Sequence, residues 1–248
     1  MQDQLPTFIS SLQTIPFGTA FGYLFVLTLF TAFNWGLEAF KWKQLTFHLQ
    51  PLSFKAAYAA ILTGQAVSFS SINRVGESIG KSMLLSDGNR LKGVVLSFVA
   101  SASQLLVTLL FGLIAVIWMY PSLHLQLQLQ LQLSELVLSA FYGALFFLVG
   151  LFILCYIAIP FFANKLSKAP FFYRYAYLLA SIQTLPKHLL LQLALVSGAR
   201  YLVFLLQYLL IFKLCGVRID APTLMALTAI LFLILAIIPT LTLAELGI

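Results

Sequence analysis

The chain has 248 residues, of which 61% are hydrophobic and 8% are Asp, Glu, Lys or Arg, with a formal net charge of +7. Soluble domains average about 45–50% apolar and about 25% charged residues, and they need a polar exterior that this composition cannot supply. The composition predicts an all-α integral membrane protein and argues against nucleic acid as a partner: orientation in the bilayer and contact with anionic lipid account for the positive charge.

Residues 1–16 contain no Lys or Arg, so they lack the positive n-region of a cleavable signal peptide. A spanning helix needs about 20 mostly apolar residues, and the first such run is 17–40. It ends in NWGLEAFKWKQL, where Asn34 and Glu38 lie one turn apart and Lys41 follows three residues later. That spacing predicts a local Glu–Lys pair at the membrane interface.

The next run, 56–72, is AAYAAILTGQAVSFSSI, with Gly64, Gln65 and several hydroxyl side chains. It is short and polar for a span. Lys41, Lys43 and Lys55 precede it, and Arg74, Lys81, Arg90 and Lys92 follow it. Were it to cross the bilayer, two basic connections would fall on opposite sides, against the positive-inside rule. The economical expectation is a re-entrant segment that leaves both connections cytoplasmic and lines a cavity or packs inside protein.

Directly after it, SSINRVGESIGK places Arg74, Glu77 and Lys81 at i, i+3 and i+7, one helical face. Gly76 and Gly80 keep a flank of that helix thin. The segment reads either as an amphipathic interfacial helix or as a gate facing a lipid headgroup.

The span 93–120 carries Ser97, Ser101, Gln104 and Thr108 as one polar stripe, which serves helix packing or lines a cavity. Residues 120–134 have no Lys or Arg and are expected outside, as is the N-terminus. The Leu–Gln alternation at 123–133 reads as a low-complexity expansion. A span at 135–162 leads into 164–187, rich in aromatic and basic residues, the composition of an interfacial segment.

The span 188–212 holds Arg200 near its centre, with Gln192 and Gln207 on the same face. An arginine at mid-bilayer costs about 2.5–3.5 kcal/mol on insertion scales and requires a partner or water. The expected partners are Glu245 or the re-entrant run at Gln65–Ser71. A last span, 222–244, runs into IPTLTLAELGI with Pro239 and Glu245. A second interrupted hydrophobic segment of this kind is the pattern that marks binding sites in transporter-like folds.

The segments NWGLEAFKWKQL, INRVGESIGKSMLL, RYLVFLLQ and IPTLTLAELGI resemble, in order, signature segments of the lysylphosphatidylglycerol synthase transmembrane region, a flippase-like family of bacterial membrane proteins. The resemblance covers about 33–248. The apolar runs themselves give about five spanning helices and at least one re-entrant segment; the resemblance implies a multi-helix membrane domain with re-entrant elements, residence in the bacterial cytoplasmic membrane and a role in translocating or handling lipids with polar headgroups. Carried over on the matching positions are Glu38, Asn73, Arg74, Gly76, Glu77, Arg200, Gln207, Pro239 and Glu245. Ile72 stands where family members often have Pro, and the stop at AELGI reads as an incomplete family domain.

The residues also leave a lipid-modifying enzyme, with Glu77 or Glu245 as acid or base, and a membrane scaffold as alternatives. No catalytic set, metal cluster or cofactor motif is legible: His48, His124 and His188 are scattered, and Cys155 and Cys215 lack metal-ligand spacing. The candidate headgroup residues are Glu38, Asn73, Arg74, Glu77, Lys81, Arg200, Gln207 and Glu245. Candidates for a cavity lining are Gln65, Ser97, Ser101, Gln104, Thr108 and Gln192.

Overall fold

Helices built from apolar runs with few breakers dominate the computed structural model, which describes residues 16–68, 75–121, 123 and 134–237. In chain order they are α1 (Phe17–Thr46), α2 (Phe54–Ser68), α3 (Val75–Ser82), α4 (Asp87–Trp118), α5 (Glu135–Ile157), α6 (Ile159–Ser167), a 3-10 segment (Pro170–Tyr175), α7 (Ala176–Gln183), α8 (Lys187–Leu214) and α9 (Ala221–Ile237). No strand occurs among the described residues. By length and composition α1, α4, α5 and α8 can each cross a membrane. The shorter apolar helix α9 covers the described part of the fifth expected span, 222–244.

The expected span 135–162 is two helices. Pro160 lacks the N–H a continuous helix would use and sits in the first turn of α6 instead. The chain breaks at Ala158, whose N–H still bonds to the Leu154 carbonyl at 3.0 Å. Beyond the break, α6, the 3-10 segment and α7 present Phe161, Phe162, Phe171, Tyr173, Tyr175 and Tyr177 outward.

Helix α4 is the central post, packing against α3, α5, α7, α8 and α9. One cluster joins Leu45 of α1, Leu96, Val99 and Leu106 of α4, Tyr156 of α5 and Leu189, Leu190 and Leu193 of α8. A second links α4 to α8 and α9 through Val107, Tyr201 and Ala229. Gly112 permits close contact with α9, because a Cβ there would lie 2.6 Å from Leu233 Cβ.

Helices α2 and α3 form a hairpin. Its tight point is Gly64 against Gly80: a Cβ on Gly80 would lie 2.8 Å from Gly64 Cα and 2.9 Å from the Thr63 carbonyl oxygen. Backbone therefore touches backbone, which only glycine permits here. The hairpin's two ends meet on one side, where the Ser86 N–H donates to Gln50 Oε1 at 2.9 Å and Asn89 Nδ2 donates to the Leu49 carbonyl at 3.3 Å. Trp42 and Ala39 of α1 pack with Ala57, Ala60 and Ile61 of α2 in the cluster that holds the hairpin to the bundle.

Candidate functional site

Helices α1 and α8 run antiparallel, as three polar contacts show: Gln207 with Thr31, Arg200 with Asn34 and Glu38, and Ser197 with Lys41. The consequence is that Arg200, at the midpoint of α8, meets Glu38 two turns before the end of α1.

Glu38 is the hub. It is 4% exposed, and its carboxylate takes three cations from three elements. Arg200 Nη1 and Lys41 Nζ reach Oε2, the lysine at 3.1 Å, while Lys81 Nζ of α3 reaches Oε1 at 3.1 Å. A buried carboxylate is tolerable only with such pairing.

Each cation is fixed elsewhere as well. Arg200 Nε donates to Asn34 Oδ1 at 3.0 Å, Nη1 approaches Gln104 Oε1 at 3.5 Å, and Asn34 Nδ2 returns a bond to the Arg200 carbonyl at 3.2 Å. Lys41, 1% exposed, donates to the Ala100 carbonyl at 3.1 Å and to Ser197 Oγ at 3.0 Å, with Ser103 Oγ at 3.4 Å. It thereby joins α1, α4 and α8. Lys81 also pairs with Glu77 at 2.9 Å and lies 5.7 Å from the centre of the Trp42 ring, within cation–π range.

Beside this network opens a cavity of about 630 Å³, a size typical of ligand pockets. Arg200, Glu38 and Glu77 border it, with Gln65, Ser101, Gln104, Thr108 and Gln207 on its walls and Trp35, Phe98 and Phe204 as aromatic surface. Lys41 reaches the cavity lining with 1% of its side chain exposed and Lys81 retains 2%, whereas the Arg200 and Glu77 side chains retain 13% and 26%.

The sequence expectations divide accordingly. Glu38, Glu77, Lys81, Arg200 and Gln207 come together, as do Gln65, Ser101, Gln104 and Thr108. Asn73, Arg74 and Glu245 lie outside the described residues. Among the described residues Arg200 pairs with Glu38, because the antiparallel α1–α8 packing sets those two residues side by side; the expected partner Glu245 and positions 69–71 of the Gln65–Ser71 run lie outside the described residues.

Ser97 is no cavity wall. It is fully buried and donates to Ser78 Oγ at 2.9 Å, joining α4 to α3. Gln192 faces a separate cleft of about 330 Å³ near Lys43, His48 and His188, because it lies two turns from Arg200 on a helix whose neighbours change along its length. The Glu38–Lys41 pair forms as its spacing predicted, but in the protein interior.

Sequence reasoning missed Lys41, Asn34, Ser103 and Ser197 as site residues. The i, i+4, i+7 spacing of Asn34, Glu38 and Lys41 and the i, i+3 spacing of Ser197 and Arg200 were the available signals for three of them. Compared with family models, curated proteins and solved structures, the chain matches none. No His, Cys, Asp and Glu grouping suited to a metal occurs among the described residues.

Proposed function

We propose that this is a flippase-like multi-pass protein of the bacterial cytoplasmic membrane that translocates or handles a lipid with a polar headgroup. One observation carries the reading: a roomy polar cavity sits at mid-helix depth, walled by a guanidinium held on Glu38, Asn34 and Gln104. Intramembrane charge that faces a cavity marks a substrate path by default. In this reading the headgroup enters the cavity and meets Arg200 while the acyl chains stay in lipid.

The α2–α3 hairpin is the re-entrant element. At about 1.5 Å per residue, the 15 residues of α2 extend about 22 Å, short of the roughly 30 Å hydrocarbon core. Its two ends also lie together at Gln50 and Ser86. The N-terminus is then external and the connections around the hairpin cytoplasmic, consistent with their lysines and arginines.

The purified chain reconstituted in vesicles with acyl-labelled phospholipids tests the proposal. Translocation exposes inner-leaflet label to an external quencher, and Arg200→Lys should slow that exposure at least tenfold by losing the planar fork. Equal rates in protein-free vesicles, in wild type and in Arg200→Lys would sink the proposal. Glu77, a partly exposed carboxylate on the cavity wall, supports the second reading, a lipid-modifying enzyme. That reading requires a new lipid species by mass spectrometry in the same vesicles.

A further inference from the structure

The antiparallel docking that sets Glu38 beside Arg200 also brings the end of α1 against the start of α8. Between them lies the second cleft, of about 330 Å³, and it shares no lining residue with the polar cavity. Lys43, His48 and His188 line it, and among the described residues no carboxylate does. The side chains of these three residues have no hydrogen bond or ion pair among the described residues.

Helix α8 adds to the positive potential. Its N-cap is Pro186, with no side-chain hydrogen bond to the first turn, and that turn holds no acid. Lys187 and His188 stand there instead. A helix N-terminus already carries partial positive charge and N–H groups without intrahelical partners, so basic side chains at that end leave a charge that an anion can answer.

A separate observation on the α1 wall narrows the choice of anion. Gln44 lines the cleft, and its Oε1 is buried without a hydrogen-bond partner among the described residues. A buried acceptor needs an O–H or N–H. The ligand must therefore bring acceptor oxygens to the cations and a donor to Gln44. A phosphate monoester does both, because its second proton leaves only near pH 6. An ionised phosphodiester or carboxylate has no proton on the acid group to give.

The cleft's outer edge is apolar. Phe40 and Phe47 line it about one turn either side of Lys43, with 43% and 61% exposure. Rings at the end of a spanning helix offer acyl chains a surface beside the charged groups, which favours a lipid over a soluble ester.

We infer that the cleft between the end of α1 and the start of α8 binds a phosphate monoester carried on a membrane lipid, with Lys43, His48 and His188 on its oxygens and Gln44 on its hydroxyl. This rests on the membrane reading and not on translocation.

The detergent-solubilised full chain is titrated calorimetrically with three probes: dihexanoylphosphatidic acid (lipid monoester), dihexanoylphosphatidylmethanol (lipid diester) and glycerol 3-phosphate (soluble monoester). The lipid monoester should bind about tenfold tighter than either of the others, the gain from one or two charge-assisted hydrogen bonds. Lys43→Gln and His188→Gln should each weaken it about tenfold, and Lys43→Arg should restore it. Gln44→Met, which keeps the length of the side chain, should shrink the monoester-to-diester ratio toward one. A thermal melt of each variant confirms that the fold is kept.

Equal affinities for the two lipids would overturn the monoester. Binding unmoved by both Lys43→Gln and His188→Gln would place the ligand elsewhere, the polar cavity included, and overturn the site. Glycerol 3-phosphate binding as tightly as the lipid monoester would overturn the lipid source and assign the site to a soluble ester. No binding of either monoester would overturn the whole. The expected affinities without leaflet exchange in vesicles would retire translocation and leave this inference standing.

Discussion

Glu38 and Arg200 form an ion pair whose members are not equivalent. Removing Glu38 takes a carboxylate from three cations and leaves the buried Lys41 and Arg200 with no acid partner among the described residues, Lys81 keeping Glu77, and losing one partner of a buried pair costs about 3–5 kcal/mol. Removing Arg200 leaves Glu38 still paired with Lys41 and Lys81. Glu38→Ala should therefore lower the unfolding midpoint sharply in a thermal melt in detergent. Arg200→Leu, which puts an apolar side chain at mid-helix, should fold with nearly wild-type stability while losing lipid translocation. A melt that ranks the two variants the other way would mean that Arg200, not Glu38, is the structural member. Lys41 belongs with Glu38: its bonds to Ala100, Ser103 and Ser197 hold three helices together, so Lys41→Met should also destabilise.

Helix packing depends on two glycines in the hairpin. Gly80→Ala would drive a Cβ into the backbone at Gly64 and Thr63, where no side chain can swing aside, so α2 and α3 must separate. A loss of about 1–3 kcal/mol is the usual cost of overpacking. Because α3 carries Lys81 and Glu77, the same variant should loosen the network and slow lipid translocation. Gly18→Ala is the control, since a Cβ there meets nothing within 4 Å; its stability should stay level or rise by helix propensity. At the other end of the bundle Asp220 caps α9, accepting the Thr223 N–H at 3.0 Å. That bond holds its carboxyl below the ordinary carboxylate range. Its contribution is present above the unfolded-state pKa and fades as pH falls through the lowered folded value, so the effect of Asp220→Asn on a melt should shrink with acidification.

Across the whole molecule, the interior is polar at its centre and much of the outside is apolar. Phe21, Leu24, Phe25 and Leu29 of α1, Phe147 and Leu154 of α5, and Leu191 and Leu195 of α8 are exposed, whereas Lys41, Lys81 and Glu38 are buried. This is the distribution that a hydrocarbon surround favours, where lipid tails replace water as the outer contact. Membrane orientation supplies a direct test. The contact of Gln50 with Ser86 puts both ends of the hairpin at one side, so single cysteines introduced at the exposed positions Lys55 and Arg90 should react with an impermeant maleimide only from the cytoplasmic face. Reaction from opposite faces would convert α2 into an ordinary span and move the cavity's opening.

Composition and periodicity alone determined that the chain is helical, where the long apolar runs lie and that Arg200 needed a partner, because these follow from local spacing and from the cost of charge in an apolar medium. The same spacing announced that the stripe of Ser101, Gln104 and Thr108 faces one way. Which acid answers Arg200 was decided only by tertiary structure. Sequence distance points to Glu245, which lies outside the described residues; the antiparallel docking of α1 on α8 sets Glu38 beside Arg200 across 162 residues of chain. Burial of Lys41 was equally illegible: at the end of an apolar run a lysine ordinarily turns toward water. Here Ala100, Ser103 and Ser197, from two other helices, supply in the interior the oxygens that water would have supplied outside.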